Sequence, residues 1–212
     1  FGTVTGVQTC AFRSSCMAFV LARFSFKFNL AMLAFFVAAN LLPPQSLLVP
    51  VYRMFMWIPI PEFLSASGSL LDTHLGVIIV NTAFQTGFCT FVLANYMKAI
   101  PAEIYEAADV DGASVWSQFW TLTIPLCRTP LAALATLQTA WIYNEFFWAT
   151  VLLQKGDKFP VTSSLNNLKG SFFTDYNLLS AGSIIAALPI LILFFVLQRQ
   201  FVSGLTMGST KG

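Results

Sequence analysis

The stretch THLGVIIVNTAFQTGFCTFVLANYM, residues 73–97, decides the fold. Its 25 residues lie between Asp72 and Lys98, with no acidic or basic side chain except His74 at one edge. A charge at the bilayer centre costs at least about 2.5–3.5 kcal/mol, and about 20 apolar residues suffice to cross the hydrocarbon. A charge-free run of this length therefore reads as a membrane-spanning helix. Working outward, residues 28–52 between Lys27 and Arg53 form a second such window, and residues 176–198 between Asp175 and Arg199 a third. A fourth, 129–154, carries Glu145 as its single charge. The expected spans are 29–52, 75–97, 130–153 and 178–199. Pro43-Pro44 is expected to break the first of them and Pro189 the last, since proline removes a helical hydrogen bond.

The whole chain agrees. Of its 212 residues 57% are hydrophobic and 9% charged, with a net charge of +2 and a mean hydropathy of +0.73. Soluble domains hold about 45–50% apolar and about 25% charged residues. A globule with 22 Phe and so few charges has too little polar surface to face water. A soluble enzyme, a disordered chain and a nucleic-acid partner are poor readings, the last because +2 attracts no polyanion. Cys10, Cys16, Cys89 and Cys127 have no paired spacing, and His74 stands alone, so neither a disulfide framework nor a zinc site is expected.

The start reads differently. Residues 14–22 are apolar but only half a span. Residues 1–12, FGTVTGVQTCAF, show no hydrophobic period and no helix signal, and resemble translated sequencing-adapter read-through. The expected division is a non-native leader over 1–13 and a membrane domain over 14–212. If the loop 98–128 faces the cytoplasm, Arg23, Lys27, Lys98, Arg128, Arg199 and Lys211 lie inside, while Arg53, Lys155, Lys158 and Lys169 lie outside. The polar loop 155–175 is then extracytoplasmic.

One polar stretch carries helix grammar: AIPAEIYEAADVDGASVWSQFWTLTIP, residues 99–125. Pro101 suits a first helical position, and Glu103 and Glu106 suit the positive end of the helix dipole. Ile104, Ala107 and Ala108 share a face by their spacing. Gly112 can end the helix in a left-handed conformation. Ser114 can cap a second helix whose apolar side holds Trp116, Phe119 and Trp120. The result is a helix–turn–helix elbow, either a hairpin on the lipid surface or a docking knob for a cytoplasmic partner.

Glu106-Ala107-Ala108, three residues, Gly112, nine residues, then Leu122-Thr123-Ile124-Pro125 resembles the EAA loop of bacterial ABC-importer permeases. Leu122 and Ile124 are mild departures from that pattern. Leu93-Ala94-Asn95-Tyr96-Met97 before the loop, Trp141-Ile142-Tyr143-Asn144-Glu145-Phe146 after it and the closing residues 204–212 extend the likeness. Together they are similar to the carbohydrate-uptake permeases of the maltose and glycerol-3-phosphate importer type. The resemblance implies an all-α integral membrane protein, a polytopic helical bundle with a cytoplasmic helix–turn–helix coupling loop. Such permeases have six spans. This chain would hold about four complete ones plus the remnant of another at 14–23, lacking the first and most of the second.

The resemblance also implies partners: a second permease, two cytoplasmic ATPase subunits, an extracytoplasmic solute-binding protein, a sugar or related polar solute, and the lipid of the bacterial inner membrane. It implies no chemistry and no cofactor on this chain, with ATP and Mg on the ATPase subunits, and a cytoplasmic C-terminus. Carried over by position, Glu106, Ala107, Ala108 and Gly112 couple to the ATPase, with Glu103, Asp109, Asp111 and Pro125 in the same loop. Gly208, Lys211 and Gly212 lie in a tail reaching toward the ATPase. Within the spans, Glu145 with Trp141, Tyr143 and Asn144 offers aromatic faces and polar groups for a sugar ring. The competing reading is an interfacial aromatic belt with Glu145 paired to a neighbouring span. Asn81 and Gln85 on the preceding span join that candidate pathway or bond between helices. An ion-coupled secondary transporter and a nonfunctional permease fragment are the alternatives; the former calls for more intramembrane charges than Glu145 and an internal repeat.

Overall fold

A computed structural model of the chain describes residues 2–61, 65, 68–168 and 175–206. Its elements are α-helical: α1 (Gly2–Arg23), α2 (Asn29–Leu41), α3 (Leu48–Trp57), α4 (His74–Lys98), α5 (Ala102–Val110), α6 (Val115–Ser117), α7 (Ile124–Leu126), α8 (Arg128–Tyr143), α9 (Phe147–Leu152), α10 (Val161–Asn167) and α11 (Tyr176–Thr206). A 3₁₀ turn precedes α3, and a π-helical segment, Gln118–Thr123, joins α6 to α7. The described residues hold one isolated antiparallel bridge, Pro59 with Ser69, and no strand.

Two of the expected spans are single helices, α4 and α11. The other two are not. The 29–52 window divides at Pro43-Pro44 into α2 and α3, as the prolines require. The 130–153 window divides at residues 144–146 into α8 and α9. Conversely, α11 passes through Pro189 without interruption, against expectation. Tyr143 Oη donates to the Ala186 carbonyl at 2.8 Å, one residue beyond Ile185, whose carbonyl lacks the helical donor that Pro189 cannot supply. Transmembrane helices keep proline where neighbours supply such bonds.

The start of the chain also departs from expectation. Residues 2–23 form one helix, where no helix signal was seen over 1–12. Cys10, Ser14 and Ala18, four residues apart, are all fully buried. Small side chains at this spacing make a flat stripe that lets helices approach closely. Hydrophobicity alone does not register that stripe, since Ser and Cys carry little apolar area.

The described chain divides into two compact units. One, with described residues 8–41, 83–137 and 199–206, has a core of Phe19 and Leu21 from α1, Leu33 from α2, Cys89, Leu93 and Met97 from α4, Tyr105 from α5, Phe119 and Leu134. Gly87 is required there: a Cβ on it would stand 2.5 Å from both the Phe36 carbonyl oxygen and Asn40 Nδ2. Backbone cannot yield as a side-chain tip does, so α2 would have to retreat from α4. Gly87→Val is expected to destabilise the protein by about 1–3 kcal/mol, the usual cost of overpacking. Thermal unfolding in detergent measures it, and an unchanged melting temperature would refute this close approach.

The other unit, residues 1–7, 42–82 and 138–198, buries Phe55, Leu70, Leu71, Val80, Trp148 and Leu152. Its helix α11 exposes Leu178, Ile184, Ile185, Leu188, Ile192, Phe195 and Val196. Helix α4 buries Asn81, Thr82, Thr86 and Thr90 beside Val80, Cys89 and Leu93, and turns Leu75, Ile79 and Phe91 outward. Polar side chains inside and apolar ones outside is the pattern of a helix bathed in lipid.

Candidate functional site

The elbow is built by local rules. Pro101 takes an extended ψ of 137° as N-cap of α5, one position earlier than expected. The C-terminus of α5 closes with two bonds, Ala113 N–H to the Ala108 carbonyl at 2.9 Å and Gly112 N–H to that of Asp109 at 3.1 Å. Gly112, at φ +76°, supplies the left-handed residue that this closure needs. Ser114 then accepts the Ser117 N–H at 3.2 Å and starts the second arm. That arm is wound as a π-helix where Thr123 Oγ1 donates to the Gln118 carbonyl five residues back, at 3.2 Å.

Burial sorts the elbow's candidates. Glu103, Glu106, Ala107, Asp111, Gly112 and Pro125 are exposed, whereas Ala108 is buried. The two alanines therefore do not present one face: Ala108 packs inward with Tyr105, and Ala107 stands outward beside Glu106. Ile104, Val110, Trp116 and Trp120 are exposed too, so the elbow shows both acidic and large apolar side chains outside. Tyr105 hydrogen-bonds Thr123 at 2.9 Å and tilts against Phe19, whose ring lies 5.3 Å from that of Phe119.

Asp109 has a different place. Its Oδ2 meets Arg23 Nη2 at 2.7 Å, and its Oδ1 accepts from Gln118 Nε2 at 2.6 Å. Arg23 lies at the last position of α1, with its guanidinium 5.1 Å from the Tyr105 ring centroid. Arg23, Tyr105 and Gln118 were not singled out from sequence. The Arg23–Asp109 contact joins residues 86 apart, and no local spacing signals it. Gly208, Lys211 and Gly212 lie outside the described residues.

In the other unit the break between α8 and α9 carries the second candidate site. Glu145 sits in the break and turns back onto α9: Oε1 accepts the Trp148 N–H at 2.6 Å and Oε2 the Ala149 N–H at 2.9 Å. Glu145 thus caps the first turn of α9, a role distinct from an ion pair with a neighbouring span. A cavity of about 340 Å³ opens beside it, lined by Asn81, Tyr143, Glu145, His74, Asp157, Lys158 and Thr162 among others. Asn81 stands in this lining, and its Nδ2 donates to the Val77 carbonyl of its own helix at 3.0 Å. Trp141, Asn144 and Gln85 are not among the lining residues. Trp141 and Asn144 are exposed, and Asn144 Nδ2 donates to the Ala140 carbonyl of its own helix at 2.9 Å.

The cavity wall is tied down by Asp72, another residue that sequence reading passed over. Asp72 adopts φ +56° before the N-terminus of α4, and Thr73 Oγ1 accepts the Gly76 N–H at 3.0 Å to cap that helix. The Asp72 carboxylate accepts the N–H groups of Gln154 and Lys155 at 2.9 and 3.2 Å and pairs with Lys158 Nζ at 2.7 Å. Burial pushes its pKa up, but the Lys158 and backbone hydrogen bonds and the Lys158 charge outweigh that and hold it at about 2. A carboxyl with a lower pKa folded than unfolded binds fewer protons when folded. Its contribution is complete above the unfolded value near 3.9 and is lost as pH falls toward about 2. Asp72→Ala is expected to cost about 1–3 kcal/mol at pH 7. The difference between wild type and variant should shrink between about pH 4 and 2. Melting in detergent across that range checks it, and a difference independent of pH would contradict the assignment.

The sequence matches the family described as binding-protein-dependent transport system inner membrane component over residues 14–206. It is 33% identical over 192 residues to a probable ABC transporter permease protein of Pyrococcus horikoshii, covering 91% of this chain and 66% of that one. It is 30% identical over 199 residues to the melibiose/raffinose/stachyose import permease protein of Bacillus subtilis, covering 93% and 68%. An alpha-glucoside transport system permease protein of Rhizobium meliloti is 35% identical over 196 residues, 92% of this chain and 50% of its own length. The chain therefore spans between half and about two thirds of the length of these relatives.

Proposed function

The chain belongs to the family of binding-protein-dependent transport system inner membrane components, and from that membership we propose that it is one permease subunit of an ATP-driven carbohydrate importer. It works beside a second permease, two cytoplasmic ATPase subunits and an extracytoplasmic solute-binding protein, in a bacterial inner membrane with its C-terminus in the cytoplasm. The elbow formed by α5, α6 and α7 seats in an ATPase subunit and passes its closure to the spans. The observation that carries this reading is the elbow's outer surface. A capped helix presents Glu103, Ile104, Glu106 and Ala107 to the outside, and Trp116 of the second arm is exposed as well. Such a surface suits a cleft holding apolar side chains and a cation. Docking must differ between two ATPase states, because a loop bound equally in both shifts nothing.

The solute pathway runs past the break between α8 and α9, where Asn81, Tyr143 and Glu145 line the cavity. Broken spans expose backbone that needs protein or water as neighbour, and transporters place sites there. Trp141 and Asn144 are exposed outside the cavity lining. The ion-coupled alternative loses support, since Glu145, the carboxylate it would use, is engaged in capping α9.

The test is uptake by vesicles holding this chain with the products of its neighbouring reading frames, using labelled raffinose, lactose and maltose as probes. Uptake of one of them is expected to require ATP inside the vesicle and the binding protein outside. Uptake driven by a proton gradient without ATP, or no uptake of any probe, would overturn the reading.

A further inference from the structure

We propose that Arg23 is a positioning residue for the elbow, a strut that locks both of its arms to the end of α1. The inference rests on the coupling role proposed above and goes beyond it, because it gives Asp109 a duty opposite to that of Glu106. The two acids lie three residues apart on α5 and both are exposed, yet among the described residues only Asp109 of the two is engaged by a cation. Asp109 turns its carboxylate to Arg23 on one oxygen and to Gln118 on the other, at 2.7 and 2.6 Å. Gln118 Nε2 in turn donates to the Ala113 carbonyl in the turn between the arms, at 3.0 Å. One guanidinium thus addresses α5 directly and the second arm through a shared carboxylate.

Two features set this pair apart from an ordinary surface ion pair. The Arg23 side chain is 26% exposed, less open to screening than a free surface charge, although its partner Asp109 is 52% exposed. Its planar group also covers the Tyr105 ring, whose hydroxyl bonds Thr123 on the second arm. A lysine at this position offers neither the planar fork nor the stacking face. With the strut in place, a push on the elbow displaces α1; without it, the elbow tilts on its own turn and the push is lost.

The experiment uses the whole complex in vesicles, with the binding protein and raffinose, lactose and maltose as probe sugars. It reads the ratio of ATP hydrolysis with and without the binding protein. Arg23→Ala and Asp109→Asn are each expected to lower that ratio about fivefold while the ATPase subunits stay attached. Arg23→Lys should fall between them and wild type. The double exchange Arg23→Asp with Asp109→Arg should return the ratio to within about twofold of wild type, since the Gln118 amide can turn its oxygen to the new guanidinium. A mere loss of folding would lower the amount of complex and would not be repaired by the exchange. A wild-type ratio in the single variants, or an exchange variant as impaired as they are, overturns the strut. Glu106→Lys in the same assay separates the two levels. If it alone sheds the ATPase subunits while Arg23→Ala behaves as wild type, only the strut fails. If Glu106→Lys also keeps them, the coupling reading fails and takes the strut with it.

Discussion

Glu106→Lys is expected to abolish ATP-driven uptake and to reduce retention of the ATPase subunits by about a hundredfold. Glu106 is exposed on a helix whose ends are fixed by Pro101 and by the Gly112 closure. Reversing its charge costs the chain itself little, within about 0.5 kcal/mol for a surface position. The complex fares differently. A carboxylate enclosed by a partner and paired with a cation is worth about 2–5 kcal/mol when truncated, and a lysine there adds repulsion. Membrane abundance of the variant should match wild type, while co-purified ATPase and uptake should both vanish. Wild-type retention in this variant would mean that the exposed Glu106 carboxylate meets no cation. Glu106→Gln keeps the shape without the charge and should fall between the two.

Glu145→Leu is expected to destabilise the protein by about 2–4 kcal/mol. The carboxylate satisfies the N–H groups of Trp148 and Ala149, the opening donors of α9. Trp148 and Ala149 are themselves buried, so water does not take over when the acceptor is lost. Glu145→Gln retains one acceptor oxygen and should cost about half as much. Unfolding by heat or by increasing dodecyl sulfate reads the difference. A Leu variant that melts with wild type but takes up sugar with a raised KM would show the carboxylate to be a solute ligand and not a cap.

The lipid-facing design was legible because charges are scarce enough to mark where spans end. Residues 73–97 became α4 to within one residue, and 176–198 became the first part of α11, which runs on to Thr206. The elbow was legible for a different reason: Pro101, Gly112 and Ser114 act within one turn of themselves, so their consequences lie in the local sequence. What escaped depends on partners distant in the chain. Asp72 meets Lys158, and Arg23 meets Asp109, across 86 residues in each case. The break at residues 144–146 escaped as well, since no proline or glycine marks it and a lone Glu reads as a charge in a span before it reads as a cap. The helix at the start escaped because its packing stripe is made of Cys10, Ser14 and Ala18, small where a hydrophobic period was sought.

The outward side chains of α11 have one more consequence. In water, such a surface would find its neighbours by fleeing solvent, and almost any greasy partner would do. Surrounded by acyl tails as apolar as Ile184, Ile192 and Phe195 themselves, it gains nothing by that route. Whatever subunit settles against this helix must be chosen by contour: bumps meeting hollows closely enough to outcompete the fluid chains they displace.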